Sequence, residues 1–312
     1  MMSRILVTGA LGTIGSYLVP YLRDRGHEVI CCDMMIRDYD DYVRADISSF
    51  EDMYRVFKDS YVDTVIHMAA EVGRMVGEAY PQKMITINAV GTLNVVRLCN
   101  EFGLRLVNFS TSEVYGHLFD KGVVFESDIE FHGNPFMTTN IYALTKLFSE
   151  AIVKHYVDNY GLKAVSVRPF MIYAANEFPS KYRSAMINFV HNALIDKKLI
   201  VHKGTTRAWC YVSDFAEAIR LIVELPFKDT YEAFNVGSDE YHTSEEVARV
   251  VLDACGKSYD LMELIKPPNK FLTRVKKFSI EKIKGLGYKP QVSLKEGVKN
   301  VVEWQRRRDD SE

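Results

Sequence analysis

Three equally spaced glycines near the start of the chain, Gly9, Gly12 and Gly15, constrain its fold more than any other feature. They follow a short apolar run, Arg4–Thr8, which is typical of a buried parallel strand. They open the segment 13–25, in which apolar residues recur at helical spacing. A strand, a glycine-rich turn and a helix in this order are typical of a unit that binds the pyrophosphate of a dinucleotide. Glycines allow close backbone approach, and the helix N-terminus presents free N–H groups.

A second apolar run, Glu28–Asp33, ends in an acidic residue 18 positions after Gly15. In dinucleotide-binding units, a carboxylate about 20 residues after the glycines accepts hydrogen bonds from the adenosine ribose and repels a 2′-phosphate. We therefore expect Asp33 to select NAD over NADP. Arg37 weakens this preference because it could reach a phosphate, and the alternative for Asp33 is a solvated acid at a strand end.

Strand-like and helix-like segments alternate along the first part of the chain. The apolar patterns predict strands at 62–70, 104–110 and 163–170 and helices at 81–102 and 141–160. Such alternation with short connections is typical of an α/β fold, here a Rossmann-type doubly wound parallel sheet. Ligands of such sheets bind at the carboxyl ends of the strands.

The pattern loosens after residue 170. We expect an NAD-binding Rossmann domain over 1–170 and a smaller C-terminal lobe over 171–312, with strands and helices that could interleave. The predicted elements of the second part are helices at 184–198, 214–225, 244–255 and 294–308 and extended segments at 199–202 and 233–237.

Composition and charge narrow the class of protein. Of the 312 residues, 47% are hydrophobic and 26% charged, which is ordinary for a chain with a full core, and a net charge of −2 gives no basis for nucleic-acid binding. No apolar run approaches the length of a membrane span and no signal peptide is recognisable, so we expect a cytoplasmic protein without membrane association. Five cysteines show no metal-ligand spacing, so we expect reduced thiols and no metal site.

Tyr142 and Lys146 form a second motif near the middle of the chain. At positions i and i+4 of the predicted helix, their side chains share a face. An ammonium group beside a phenol lowers the phenol pKa, which would make Tyr142 a base for a hydroxyl proton while hydride leaves the same carbon. The alternative is an exposed pair on a solvated helix, and the glycine motif upstream favours the catalytic interpretation.

Further segments make the chain resemble the extended short-chain dehydrogenases/reductases of the nucleotide-sugar epimerase/dehydratase family, over nearly its whole length. The segments similar to family motifs are 46–47, 67–70, 88–92, 110–116, 168–169, 207–214 and 235–237. The resemblance implies an NAD-dependent enzyme that forms a transient 4-keto sugar on a nucleotide-diphosphate sugar. It also implies that the cofactor is reoxidised in the same site and that residues 171–312 bind the nucleotide sugar.

The resemblance also implies roles for individual residues. Thr111 would polarise the sugar 4-hydroxyl, Tyr142 would act as its base, and Lys146 would hold the cofactor ribose. The implied cofactor-binding residues are Gly9, Gly12, Thr13, Ile14, Gly15, Asp33, Asp46, Ile47, Met68, Ala69, Ala70, Asn88, Tyr142 and Lys146. The implied substrate-binding residues are Ser112, Arg207 and Arg274, with the two arginines on the diphosphate.

The residue type at position 113 distinguishes the family's reaction subclasses. A 4-keto group acidifies the C5 proton, and a catalytic carboxylate can remove it. The family's 4,6-dehydratases and UDP-glucuronate decarboxylases carry a glutamate at the matching position, whereas 4-epimerases more often have a small residue. Glu113 therefore favours 4,6-dehydratase-type chemistry. The alternatives are a 4-epimerase, a UDP-glucuronate decarboxylase, a simple NAD(P)-dependent dehydrogenase and an inactive NAD sensor, and Glu113 could also serve only to bind the loop that follows.

Two stretches of the chain differ from the family pattern. Met171 stands where the family has an asparagine, and the pair at 174–175 replaces a Gly-Pro turn, so we expect altered substrate placement. Glu71 and Arg74 follow the strand at 62–70, where they would either face the substrate or form surface ion pairs.

The resemblance implies a homodimer built from the helices at 81–102 and 141–160. Val95, Leu98, Ile152 and Val153 fit such an interface, and they fit an intramolecular core equally well.

Overall fold

The computed structural model describes residues 2–37, 40–132, 135–180, 182–267 and 273–309. Its centre is a seven-stranded sheet in the order β7-β6-β5-β4-β1-β2-β3, with every pair parallel. The strands are β1 Arg4–Thr8, β2 Glu28–Asp33, β3 Tyr42–Arg44, β4 Thr64–His67, β5 Arg105–Phe109, β6 Ala164–Pro169 and β7 Glu232–Val236. This confirms the predicted doubly wound sheet. The strand order reverses between β1 and β4, which is where such sheets open a crevice for a ligand.

Eight longer helices surround the sheet and build the C-terminal lobe. They are α1 Gly15–Arg23, α2 Phe50–Ser60, α3 Gly91–Glu101, α4 Ile141–Tyr160, α5 Ala185–Leu194, α6 Val212–Glu224, α7 Ser244–Cys255 and α8 Leu294–Asp309. Shorter α-helices span Arg74–Ala79, Pro81–Ile85, Ser127–His132 and Glu281–Lys284, and 3₁₀ turns span Ser112–Lys121, Pro135–Met137 and Tyr259–Leu261. No helix of the described ranges is long and apolar enough to cross a membrane.

Helix α4 begins and ends at capping residues that the sequence supplies. The side chain of Asn140 accepts a hydrogen bond from the backbone N–H of Ala143 at 2.8 Å, which satisfies an N–H that has no partner inside the helix. Gly161 adopts the left-handed conformation, with φ of 73°, and ends the helix. These caps fix the two ends of the helix that carries Tyr142 and Lys146.

The predicted helix at 81–102 is interrupted by a wider turn. Pro81–Ile85 and α3 are α-helical, whereas Thr86–Val90 between them forms a π-helical turn. In a π-helical turn the hydrogen bond spans one residue more than in an α-helical turn, and such turns are frequent at functional sites. The turn contains Asn88, whose side chain contacts Thr145 of helix α4.

The two predicted parts of the chain interleave. Strand β7, from beyond residue 171, pairs with β6 in the central sheet, and α6 packs against α1. The C-terminal lobe consists of α5, α7 and α8 with four pairs of short strands at its borders. These pairs are Val123–Val124 with Lys277–Phe278, Ile172–Tyr173 with Cys210–Tyr211, Leu199–His202 with Met262–Ile265, and Thr206–Ala208 with Tyr241–Thr243.

Three apolar cores hold these layers together. One lies between the sheet and α1 and α6, a second between the sheet and α2, α3 and α4, and a third inside the C-terminal lobe. Val95, Leu98 and Val153 are 0% exposed in the second core, and Ile152 packs against it. For Val95, Leu98 and Val153 the interface prediction is therefore wrong and the intramolecular alternative is confirmed, whereas Ile152 is only partly buried and its place in an interface stays a prediction.

Candidate active site

The glycine-rich loop packs tightly against the exit of strand β4. Gly9 has a φ of +73°, and a Cβ added to it would lie 2.8 Å from the backbone nitrogen of Ala69. A Cβ on Gly15 would lie 2.5 Å from the carbonyl oxygens of Gly9 and Ala10. Both contacts are with backbone, which cannot move aside as a flexible side chain can. The loop therefore keeps the shape that brings backbone N–H groups to a dinucleotide phosphate, and its residues fit NAD.

Asp33 lies at the carboxyl end of β2 and binds this loop. One carboxylate oxygen accepts a hydrogen bond from the N–H of Leu11 at 3.0 Å, and the other accepts from Met35 at 3.3 Å. These bonds hold the carboxylate at the edge of the predicted cofactor site. Its contact with the cofactor ribose stays a prediction.

The pair Asp46-Ile47 follows the carboxyl end of strand β3, next to β2 in the sheet. The Asp46 carboxylate accepts hydrogen bonds from the N–H and hydroxyl of Ser48, both at 2.8 Å. A Cβ on Gly91 would lie 2.7 Å from Cδ1 of Ile47, so α3 packs directly against this side chain, which would have to move aside for a larger residue. The motif therefore places Ile47 between α3 and the sheet, where adenine contact stays a prediction.

Asn88 connects the exit of β4 to the catalytic helix. Its side-chain oxygen accepts from the N–H of Glu71 at 2.9 Å, and its amide group donates to the Glu71 carbonyl at 3.0 Å and to the Thr145 hydroxyl at 3.2 Å. The residue is 0% exposed. We therefore infer that Asn88 positions α4 relative to the loop at 68–71, and the cofactor contact that the resemblance implies stays a prediction.

Thr111, Tyr142 and Lys146 come together at the carboxyl end of β5. All three residues are buried, with Thr111 and Tyr142 each 7% exposed and Lys146 2% exposed. The side chains of Thr111 and Tyr142 are hydrogen-bonded to each other. The Lys146 ammonium donates a hydrogen bond to the carbonyl of Phe109 at 2.7 Å. The structure thus brings together the three catalytic residues that the resemblance implies.

The expected effect of Lys146 on Tyr142 is wrong for the protein in this structure. Burial raises the pKa of Tyr142 to about 12, the hydrogen bond with Thr111 opposes this, and the charge of Glu113 adds to it. Burial also lowers the pKa of Lys146 to about 8. Removal of water outweighs the local charges because a buried site disfavours the ionised form of either group.

Glu113 forms an ion pair with Lys276 that no sequence motif indicates. The Lys276 ammonium lies 2.5 Å from its carboxylate, and the Arg74 guanidinium lies 3.9 Å away. Burial alone would raise the pKa of Glu113, but Lys276, Arg74 and Arg207 outweigh burial and hold that pKa below its ordinary value. The carboxylate is therefore ionised at neutral pH. No motif marks Lys276, whose only signal is its position two residues after Arg274.

Arg207 fixes the segment that carries Lys276. Its guanidinium donates to the carbonyl of Arg274 at 2.8 Å and to the carbonyl of Thr273, and burial lowers its pKa to about 10. The Arg274 side chain is exposed, and Ser112 is 5% exposed beside Glu113. Arg207 and Arg274 are thus neighbours, and their binding of a diphosphate stays a prediction.

The residues that depart from the family pattern have defined surroundings. Met171 adopts a φ of 46°, a conformation that asparagine and glycine tolerate better than methionine, and its carbonyl accepts a hydrogen bond from Cys210 at 3.2 Å. Ala174 is 0% exposed in the core of the C-terminal lobe. Glu71 forms an ion pair with Lys83, and Arg74 faces Glu113.

The model of the NAD dependent epimerase/dehydratase family matches residues 5–237, which is most of the chain. The protein belongs to this family. Like its relatives it is an enzyme, and its cofactor is NAD.

Its relatives differ in the reaction they perform. UDP-glucuronic acid decarboxylase 6 of Arabidopsis thaliana is 30% identical over 308 residues, covering 95% of this chain and 86% of the relative. Among solved structures, the UDP-glucose 4-epimerase of Thermus thermophilus in complex with NAD is 28% identical, with a TM-score of 0.85 over 97% of this chain and 99% of that one. The dTDP-glucose 4,6-dehydratase of Bacillus anthracis str. Ames with NAD is 25% identical, with a TM-score of 0.84 over 99% and 98%.

Proposed function

We propose that the protein converts a nucleotide-diphosphate sugar by oxidising its 4-hydroxyl, eliminating water across C5 and C6 and returning the hydride to C6, as a 4,6-dehydratase does. The observation that carries this proposal is the Glu113 carboxylate, held ionised close to the catalytic pair Thr111 and Tyr142. An ionised carboxylate at this place is ready to accept the C5 proton once C4 is a ketone.

The chain's own side chains divide the first step among them. Thr111 orients the 4-hydroxyl through the hydrogen bond it shares with Tyr142, and the Tyr142 phenolate accepts the hydroxyl proton. Lys146 uses one ammonium hydrogen on Phe109 and keeps two for other acceptors, which suits the cofactor ribose. Bound NAD supplies a reversible acceptor for the C4 hydride.

The substrate class follows from the cations that border Glu113. Arg207 and Arg274 lie next to each other on paired segments, and Arg74 lies beside Glu113, close enough for its charge to act on Arg207. Guanidinium groups bind phosphate oxygens as planar forks, so these residues suit a nucleotide diphosphate. We infer that the diphosphate lies along this border with its sugar toward Thr111.

We also propose that the protein is a homodimer in a reducing compartment. Apolar side chains stay exposed on the neighbouring helices α3 and α4 and on the turn before α3: Val90 at 43%, Leu93 at 40%, Leu144 at 39% and Phe148 at 53%. Such a patch supports a homodimer through these helices. All five cysteines are buried thiols outside any disulfide, which supports a reducing compartment such as the cytoplasm.

A 4-epimerase is the second candidate. If the ion pair with Lys276 serves only to hold the loop, Glu113 is not free to act on C5, and the transient ketone is reduced again at C4. The fold similarity to the Thermus thermophilus epimerase supports this alternative as well as it supports a dehydratase.

Mass spectrometry of the products separates the candidates. We would incubate the enzyme and NAD with UDP-glucose, dTDP-glucose, GDP-mannose and UDP-glucuronate. Loss of one water supports the dehydratase, whereas loss of carbon dioxide identifies a decarboxylase. An unchanged mass with a new sugar configuration in the NMR spectrum identifies an epimerase.

The variant Glu113→Gln tests the carboxylate itself. It should still reduce the cofactor with substrate, because oxidation at C4 uses Thr111, Tyr142 and Lys146. Water should no longer be released, and the ketone should accumulate on the enzyme. Water release at the wild-type rate would contradict a role for Glu113 at C5. Glu51→Gln, at an exposed position in helix α2, is the control.

A further inference from the structure

A buried lysine lies against the carboxylate that the proposed function places at C5. The side chains of Lys276 and Glu113 are 3% and 15% exposed, and their charged atoms are 2.5 Å apart. Removing two charges from water opposes the gain from their attraction, so a buried ion pair is weak evidence for a stabilising role. Stability alone therefore does not account for a lysine at this position.

The backbone holds Lys276 in place independently of Glu113. Its N–H donates to the carbonyl of Thr206 at 3.3 Å, and the N–H of Thr206 donates to the carbonyl of Arg274 at 2.9 Å. Arg207 binds the carbonyls of Thr273 and Arg274 on the same segment. The lysine is thus presented to the carboxylate from a segment fixed on both sides.

Elimination of water needs two proton transfers. A base removes the C5 proton, and an acid protonates the C6 hydroxyl, because hydroxide itself is a poor leaving group. Ser112, next to the carboxylate, is a neutral alcohol that does not ionise at neutral pH. Tyr142 is committed to the 4-hydroxyl in the proposed function. The acid therefore comes from elsewhere in the site.

Of the described cations that act on Glu113, only one can give up a proton. Arg74 and Arg207 carry guanidinium groups, which do not lose a proton in proteins. Burial lowers the pKa of Lys276 to about 8, with Glu113 opposing this and the two arginines adding to it. An ammonium group with a pKa near the working pH is suited to general acid catalysis.

Resting on the proposed dehydratase function, we propose that Lys276 is the acid that protonates the departing C6 hydroxyl. C6 is bonded to C5, so an ammonium within 2.5 Å of the base at C5 is also close to the group on C6. This makes Lys276 a further catalytic residue, and Glu113 and Lys276 a single proton-transfer pair.

Every proton of the step is accounted for. The C5–H bond breaks and its proton passes to Glu113, while the electron pair forms the C5–C6 double bond. The C6–O bond breaks, and the oxygen takes a proton from Lys276 and leaves as water. Glu113 would return its proton to C5 as C6 takes back the hydride that left C4, and Lys276 would regain a proton from solvent, which receives the one released by the 4-hydroxyl.

The test compares two leaving groups in Lys276 variants. Lys276→Arg keeps a cation that can pair with Glu113 but cannot lose a proton, and Lys276→Met removes the charge. Lys277→Met, at the exposed neighbouring position, is the matched control. The substrates are UDP-glucose, dTDP-glucose and GDP-mannose, and the 6-deoxy-6-fluoro analogue of whichever loses water. Fluoride leaves without a proton donor.

We expect both Lys276 variants to release water roughly 10²- to 10⁴-fold more slowly, in the range of a lost general acid. Cofactor reduction by substrate should persist, fluoride release should stay near the wild-type rate in Lys276→Arg, and Lys277→Met should resemble wild type. Equal losses of water and fluoride release would make Lys276 only a positioning residue and overturn the proposal, as would undiminished water release. If the wild type releases water from none of the three sugars, the proposed function itself fails, before any variant is compared, and the acid role fails with it.

Discussion

The side chain of Thr111 is hydrogen-bonded to the phenol of Tyr142, and this bond opposes the effect of burial on the phenol. Burial raises the pKa of Tyr142 to about 12. A base with so high a pKa is mostly protonated at neutral pH, so any contact that favours the phenolate directly increases the active fraction. Thr111 therefore tunes the base as well as orienting the substrate.

Replacing Thr111 with valine should raise the phenol pKa further. A hydrogen bond to a charged group contributes about 1.5–3 kcal/mol, so kcat/KM at neutral pH should fall roughly 10- to 100-fold. The measurement is a titration of tyrosinate absorbance in the free enzyme, with Tyr142→Phe identifying the signal of this phenol. Thr111→Ser keeps the hydroxyl and should keep both values. An unchanged phenol pKa in Thr111→Val would show that the hydrogen bond does not favour the phenolate.

The glycine loop offers a matched pair of substitutions. In Gly15→Ala the new Cβ meets two carbonyl oxygens at 2.5 Å, so the loop has to shift, whereas in Gly12→Ala it meets one at 3.3 Å. We expect Gly15→Ala to weaken NAD binding far more than Gly12→Ala does. Calorimetric titration with NAD measures both, and circular dichroism confirms that each variant is folded. Equal affinities would mean that the loop adapts without loss.

The fold could be predicted from sequence because its signals are local. The runs Arg4–Thr8 and Glu28–Asp33 are continuous apolar strands, and the glycines between the first of them and α1 admit few alternatives. Helix α2 is not among the predicted elements, although Ser49 caps it by accepting from the N–H of Asp52 at 3.2 Å. Strand β3 is not among them either, because it has only three residues, none of them buried, and so carries no apolar pattern.

The electrostatics of the site could not be predicted in the same way. Helical spacing places Tyr142 and Lys146 on one face, but it does not show how deeply that face is buried, and burial decides both pKa values. The Glu113–Lys276 pair joins residues 163 positions apart and depends on backbone hydrogen bonds around Arg207. No local pattern encodes such a contact.

The exposed apolar patch on α3 and α4 predicts the effect of a charge at its centre. Phe148→Glu should shift the protein from dimer to monomer, because a carboxylate would be buried without a partner in the interface. Ile200→Glu is the control, since Ile200 is 44% exposed on a strand of the C-terminal lobe. Sedimentation velocity gives the oligomeric state of each. A wild-type monomer, or a Phe148→Glu variant that stays dimeric, would rule out this interface.

Glu177 should make stability depend on pH near neutrality. It is 7% exposed, and burial raises its pKa from 4.5 to about 7, with Arg183 at 3.8 Å opposing this. Between these values the folded state holds a proton that the unfolded state has lost, so the free energy of unfolding falls as pH rises. Glu177→Gln should therefore match wild type near pH 4 and be more stable above pH 7, by at most about 3 kcal/mol. Urea unfolding at both pH values measures this, and a constant difference between the two proteins would contradict it.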